Sequence, residues 1–257
     1  MSSVMDRIRE ATAKASSGVL ADARRRPSFA RVAAQSPFPP EATREDFLAR
    51  FREELETLAG KLYGPFDAEG VARQVIELVL AADGAMGRRG DGAKGFPLPL
   101  GEGQGEGSPV QLLSWDEAEI GCPGLGDRLR QAGIEMVPGE VPNDENHQRT
   151  LERLALLGMG LSGVVAGLAD TGSLVVASGP GRSRVASLLP PVHLAVLPVS
   201  RLYPTMQDWL ADGGPDLARR SSNLVIVTGP SRTSDIEMQL TLGMHGPKEL
   251  HVLLYRD

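Results

Sequence analysis

The sequence predicts an α/β protein, a mostly parallel sheet flanked by helices, with a helical region at its amino terminus. Three observations carry this. From residue 109 onward, short and almost wholly apolar runs alternate with segments of helical periodicity, the pattern of strands buried on both faces and joined by helical crossovers. Hydrophobic residues make up 41% and charged residues 23% of the 257, which is ordinary globular composition. No run of about 18 apolar residues occurs, so no transmembrane helix is expected.

Residues 1–42 read as a basic arm and linker, and 43–257 as the α/β domain. Residues 4–19 suit a short helix, and Arg24–Arg26 with prolines at 27, 37, 39 and 40 mark the linker. A helix is expected over 43–58, where Thr43 and Asp46 suit an N-terminal cap and Phe47, Phe51, Leu55 and Leu58 recur at helical spacing. A second follows over 67–82 on Val71, Val75, Ile76, Val79 and Leu80. Residues 87–107 hold eight glycines in 21 positions, a flexible insert. Strands are then expected at 109–114, 134–137, 162–168, 173–178, 193–197, 223–228 and 249–255, and helices at 116–131, 144–160, 200–211 and 233–242. Leu224–Val227 reads as a strand buried on both faces.

Charge and residue usage exclude several functions. Residues 1–35 carry seven Lys/Arg against three acids, +4, which leaves −10 on the rest of a chain of net charge −6. An acidic body with 4% aromatic residues argues against nucleic acid as a partner. The arm reads either as a solvated helix and linker or as a contact for an acidic partner. One cysteine, Cys122, rules out an internal disulfide and a cysteine-ligated iron–sulfur cluster. Four scattered histidines lack metal-ligand spacing, so no metal site is expected. Met1–Leu20 contains no apolar stretch with a cleavage site, which points to a cytoplasmic protein.

Gly90-Asp91-Gly92-Ala93-Lys94-Gly95 matches G-x-G-x-x-G formally, but the preceding helix and following Phe96-Pro97-Leu98-Pro99 give it the wrong context for a dinucleotide. A better site is the apparent strand–loop–helix at 223–240. Gly229 and Pro230 turn the chain, and Ser231, Arg232 and Thr233 fall at the mouth of the expected helix. Ligands of open parallel sheets bind beyond the carboxyl ends of the strands, a helix start favours an anion, and Arg232 suits a carboxylate or phosphate. Capping by Ser231, Thr233 or the Ser234–Glu237 box explains the same residues equally well, and Asp235 and Glu237 bring negative charge. Asp170, Thr171, Gly172 and Ser173 form a compact polar loop, either a ligand contact or a plain turn. Gly179–Ser183 reads as a turn. His245, between Gly243 and Gly246 and just before the last strand, is the histidine best placed for proton transfer; His193 and His251 read as core-edge residues.

Three stretches together, GLADTGSLVVAS (167–178), RVASLLPPVHLAVLP (184–198) and IVTGPSRTSDIEMQLTLGMHGPKELHVLLY (226–255), resemble the signature of the LUD-domain family, in particular its C-type lactate-utilization members. The resemblance is specific over 161–257 and weaker over 43–160, where Trp115-Asp116 fits. It implies a fold like the isomerase and CoA-transferase superfamily typified by ribose-5-phosphate isomerase. It also implies a place in a three-protein system oxidising L-lactate to pyruvate, with iron–sulfur clusters on the two partner subunits and no cofactor bound by this chain. The family's loops would fall on Asp170, Thr171, Gly172, Gly229, Ser231, Arg232, Thr233, Asp235, Glu237, His245 and Gly246. The expectation is a pocket for a small anionic ligand, with His245 as candidate acid or base. Two other readings stay open: a stand-alone sugar-phosphate isomerase or CoA-transferase-like enzyme, and a non-catalytic assembly or ligand-sensing subunit.

Overall fold

The computed structural model describes residues 36–86, 109–234, 240–242 and 246–257. Residues 1–35 of the amino-terminal arm, the glycine-rich insert with its G-x-G-x-x-G match, Asp235, Glu237 and His245 lie outside them. Residues Pro37–Asp257 make up one compact unit.

The first helix, α1 (Arg44–Thr57), starts where the capping residues place it. Thr43 Oγ1 accepts the Asp46 amide at 3.4 Å, and Asp46 Oδ2 accepts the Thr43 amide at 2.7 Å. Its fully buried Phe51 and Leu55 belong to the main core. A strand that the periodicity misses, β1 (Lys61–Phe66), follows. Gly64 and Pro65 interrupt its apolar pattern, which hides it from a search for alternation. Helix α2 (Ala68–Met86) then packs Val71, Val75 and Val79 into the core and lies against β1 and the last strand.

Five further strands complete the main sheet: β2 (Val110–Ser114), β3 (Ile134–Pro138), β4 (Met159–Gly163), β7 (Val192–Pro198) and β12 (Glu249–Tyr255). Their order is β1-β12-β7-β4-β2-β3, and every neighbouring pair is parallel. β4 and β7 are buried along their whole length, as strands covered on both faces must be. The flanking helices α3 (Glu117–Ile120), α4 (Leu125–Gln131), α5 (His147–Ala155) and α6 (Val185–Leu188) are short. The helix expected over 116–131 breaks into α3 and α4 because Gly121 (φ 81°) and Gly124 (φ 70°) take left-handed conformations around Cys122-Pro123.

A second sheet of four strands has the order β8-β5-β6-β9: β5 (Ala166–Leu168), β6 (Ser173–Ser178), β8 (Leu202–Tyr203) and β9 (Asn223–Val227). The strand expected over 162–168 therefore divides between two sheets. The division falls between adjacent residues: Val164 N donates to Val196 O of β7, and Val165 N to Val175 O of β6. Helices α7 (Met206–Ala211) and α8 (Gly214–Arg220) cover this sheet around Trp209, Ala166, Leu168 and Val175. Pro204 ends the helix expected over 200–211 early. It leaves a 3₁₀ turn (Val199–Arg201), β8, and a new start at Thr205, whose capping box with Asp208 mirrors that of α1.

Two expectations fail near β9. It is the antiparallel edge of the small sheet, not a strand buried in the parallel one, and Ile226 is 46% exposed. A four-residue apolar run fits a half-covered edge as well as a core, so length and composition alone do not separate them. The helix expected over 233–242 is replaced by two antiparallel strands, β10 (Arg232–Ser234) and β11 (Leu240–Leu242). Pairing with a partner segment overrides the weak helical spacing there. Among the described residues no helix is long and apolar enough to cross a membrane.

Candidate functional site

The polar turns singled out in the sequence do converge. The Ala169–Ser173 turn is pinned at both ends: Ala169 N donates to Tyr203 O (2.9 Å), Asp170 N to Pro204 O (3.0 Å), and Ser173 Oγ lies 2.9 Å from Thr228 Oγ1. Gly172 holds φ 62° against α1, where a Cβ would fall 2.5 Å from Leu55 N. At Gly229, with φ 85°, a Cβ would fall 2.9 Å from Leu58 Cβ at the end of the same helix. Ser231 N donates to Pro247 O (2.8 Å), and Gly246 lies alongside Ser231. The loops 169–173, 228–231 and 246–247 thus form one group around the carboxyl end of α1.

Its position corrects the expected geometry. Lys248 N and Glu249 N both donate to Pro191 O, so the group stands at the amino ends of β7 and β12, opposite the edge where open parallel sheets bind ligands. Ser231 leads into β10, which holds Arg232 and Thr233, so among the described residues no helix begins at this turn. Ser234 lies in that strand, and Glu237, its partner in the expected capping box, lies outside the described residues. Backbone register pairs Arg232 with Leu242 and Thr233 with Thr241.

Asp170 is the unusual group. It is half-buried, and its Oδ1 is shut off from solvent with no hydrogen-bond partner among the described residues. Burial raises its pKa above the usual value, with the negative charges of Asp208 and Glu54 adding to that, against opposing hydrogen bonds from Thr171 and its own amide.

Reading for spacing missed a second feature, at the carboxyl ends of the main sheet. A cleft of about 610 Å³ opens between residues 139–142, after β3, and Gly179, Pro180, Gly181, Ser183, Arg184 and Val185. Its floor is stapled. Gly179 and Arg182 exchange backbone hydrogen bonds around the Pro180-Gly181 turn, Asp116 N donates to Gly181 O (2.8 Å), and the buried Trp115 Nε1 donates to Ser183 O (3.0 Å). Gly179–Ser183 is the turn its sequence indicates, and its Pro-Gly pair is the signal.

The remaining titratable groups are structural. His193 is 1% exposed with Nε2 2.8 Å from the buried Ser162 Oγ, and burial pushes its pKa down to about 4. His251 bridges Tyr63 (3.0 Å) and Glu249 (3.2 Å), and Lys61 extends the chain to Glu249 (2.8 Å), tying β1 to β12. Burial lowers the His251 pKa too; the neutral ring accepts from Tyr63 at Nδ1 and donates from Nε2. Both histidines lie deeper than the core edge. Burial raises the Cys122 thiol to about 11. Among the described residues no group of three His, Cys, Asp or Glu is placed to hold a metal.

A family model described as the LUD domain matches residues 48–255. An uncharacterized protein of Neisseria meningitidis serogroup B is 38% identical over 96 residues, 37% of this chain and 40% of that protein. Lactate utilization protein C of Halalkalibacterium halodurans is 30% identical over 155 residues, 59% of this chain and 65% of the relative. The same-named protein of Bacillus licheniformis is 33% identical over 161 residues, 59% and 64%. The matches therefore span about two fifths to two thirds of the length of these curated relatives. Among solved structures, a DUF162 family protein from Deinococcus radiodurans superposes with a TM-score of 0.52 at 16% identity, over 83% of this chain and 99% of that one.

Proposed function

The chain belongs to the LUD-domain family, and from that premise we propose that it is the C-type subunit of a cytoplasmic lactate-utilization system oxidising L-lactate to pyruvate. The observation that carries the reading is the likeness to lactate utilization protein C from several bacteria, at 30–33% identity in the two matches above. Oxidation of L-lactate to pyruvate releases two electrons and two protons. A single cysteine, buried in α/β core, does not fit a cluster held by several thiolates. In this reading, as the family resemblance implies, the electrons pass to iron–sulfur clusters on partner subunits.

In this reading the loop group at the end of α1 binds the substrate. Arg232 holds the carboxylate, Ser231 and Thr233 contribute hydroxyl or N–H groups, and Asp170, Thr171, Gly172 and Ser173 form the facing wall beside Gly229 and Gly246. Asp235 and Glu237 are assigned as further ligand contacts, and His245 as the acid or base. Each role is assigned from residue chemistry.

The test is anaerobic purification of the tagged full chain from its native cells grown on lactate. Co-elution of iron–sulfur proteins with lactate-dependent electron transfer, lost when this chain is omitted, is the expected result. A protein that elutes alone and is dispensable for electron transfer would refute the subunit role. Arg232→Ala is expected to weaken lactate binding at least tenfold; unchanged affinity removes that residue from the site.

A further inference from the structure

We propose that the cleft at the carboxyl ends of the main sheet binds a nucleotide through a single phosphate group, at a site separate from the loop group. Position is the first argument. The chain leaves β2 for β3 on one side and returns to β4 on the other, so β2 stands between them. Connections diverge around the carboxyl end of β2, and open parallel sheets bind ligands in the crevice such a divergence makes. Both walls of the cleft are tied to that strand end. Gly139 N donates to Ser114 O (3.3 Å), and Asp116 N to Gly181 O (2.8 Å). Ser183 Oγ donates to Gly139 O and joins one wall to the other.

The chemistry of the walls selects the ligand. Arg182 and Arg184 stand two residues apart and differ in their surroundings. The Arg182 side chain is 19% exposed, with Nε 3.5 Å from Glu119 Oε2, so its charge is answered within the fold. Arg184 is exposed and lines the cleft, and its side chain has no hydrogen bond or ion pair among the described residues. A guanidinium so placed grips a phosphate through paired N–H donors. Glu140 on the facing wall is exposed, and so is Asp116, whose Oδ2 would lie 2.8 Å from a Cβ at Gly181. Carboxylates accept hydrogen bonds from sugar hydroxyls and repel further phosphate groups. The cleft therefore favours one phosphate at Arg184, with a ribose turned towards the acids. Val141 and Pro142 face Pro180 and Val185, which gives the base apolar surface. The volume of about 610 Å³ suits a cofactor-sized molecule, and a lactate or bare phosphate ion would fill little of it.

The full chain is titrated by calorimetry with AMP, adenosine and ribose 5-phosphate, as wild type and as Arg184→Gln. A hydrogen bond between charged groups corresponds to a preference of roughly ten- to hundredfold, so wild type is expected to bind AMP at least tenfold more tightly than adenosine. Ribose 5-phosphate, lacking the base, should bind more weakly than AMP. Arg184→Gln should bring AMP down to the affinity of adenosine and leave adenosine itself unchanged. Because Arg184 is exposed, the variant should keep the wild-type Tm, which separates a lost contact from a lost fold. Wild type that does not bind AMP overturns the assignment, as does a variant that keeps the full preference for AMP over adenosine. Ribose 5-phosphate binding as tightly as AMP would overturn the nucleotide class.

Discussion

Acidification tests the core directly, because His193 has to stay neutral to remain where it is. Its ring is 1% exposed between β4 and β7 and shares one hydrogen bond, to Ser162. Burial pushes its pKa from 6.5 down to about 4. The folded-state pKa is thus below the unfolded one, so the unfolded chain takes up the proton first as pH falls. Stability is unaffected above pH 6.5 and is lost progressively between 6.5 and about 4. The slope approaches about 1.4 kcal/mol per pH unit, so the loss is about 2 kcal/mol at pH 5 and levels off near 3 kcal/mol below pH 4. Urea unfolding of wild type and His193→Gln at pH 7 and pH 5 isolates this contribution, since every other titration is common to both. The variant is expected to be less stable at pH 7, having lost its fit in the sheet, but to lose about 2 kcal/mol less on acidification. Parallel losses in the two proteins, or a His193 ring seen by NMR to titrate near 6.5, would refute the reasoning.

Other expectations follow from single contacts. Gly172→Ala forces a left-handed alanine and sets its Cβ 2.5 Å from Leu55 N. The conformation and the overlap together cost about 2–4 kcal/mol, a fall in Tm of roughly 5–15 °C; a shift under 2 °C would mean that α1 moves aside freely. Cys122 is 1% exposed with its thiol raised to about 11, so an aromatic disulfide reagent at pH 8 should label the urea-unfolded chain and leave the native one unmodified. Stoichiometric labelling of the native protein would contradict that burial. Asp170→Asn removes a carboxylate whose pKa is raised by burial. Such a group favours the folded state less as pH rises from its unfolded value through its folded one. The variant should therefore match or exceed wild-type Tm at pH 7 and lose that advantage near pH 3. A clear loss of Tm at pH 7 would assign Asp170 a structural role.

What the sequence determined by itself was whatever neighbours along the chain decide. The cap at Thr43, the apolar face of α2, the apolar run of β7 and the turn at Pro180-Gly181 are local, because their hydrogen bonds and periodicities close within a few residues. The family could be read from such stretches too, since 167–178, 184–198 and 226–255 carry contiguous motifs. Tertiary structure decided where strands went and which end of the sheet each loop reached. Four apolar residues look alike whether covered on two faces or one, so β9 was legible as a strand but not as an exposed edge. The pairing of β10 with β11 was illegible because its energy comes from contact between two segments, which outweighs weak helical spacing. The loop group is the clearest case. Its residues were legible as polar turns, but its place at the amino ends of β7 and β12 follows from Pro191 accepting Lys248 and Glu249, a contact spanning more than fifty residues. The carboxylate oxygen of Asp170 left without a donor is likewise a property of the packing around it, and no residue type or spacing announces it.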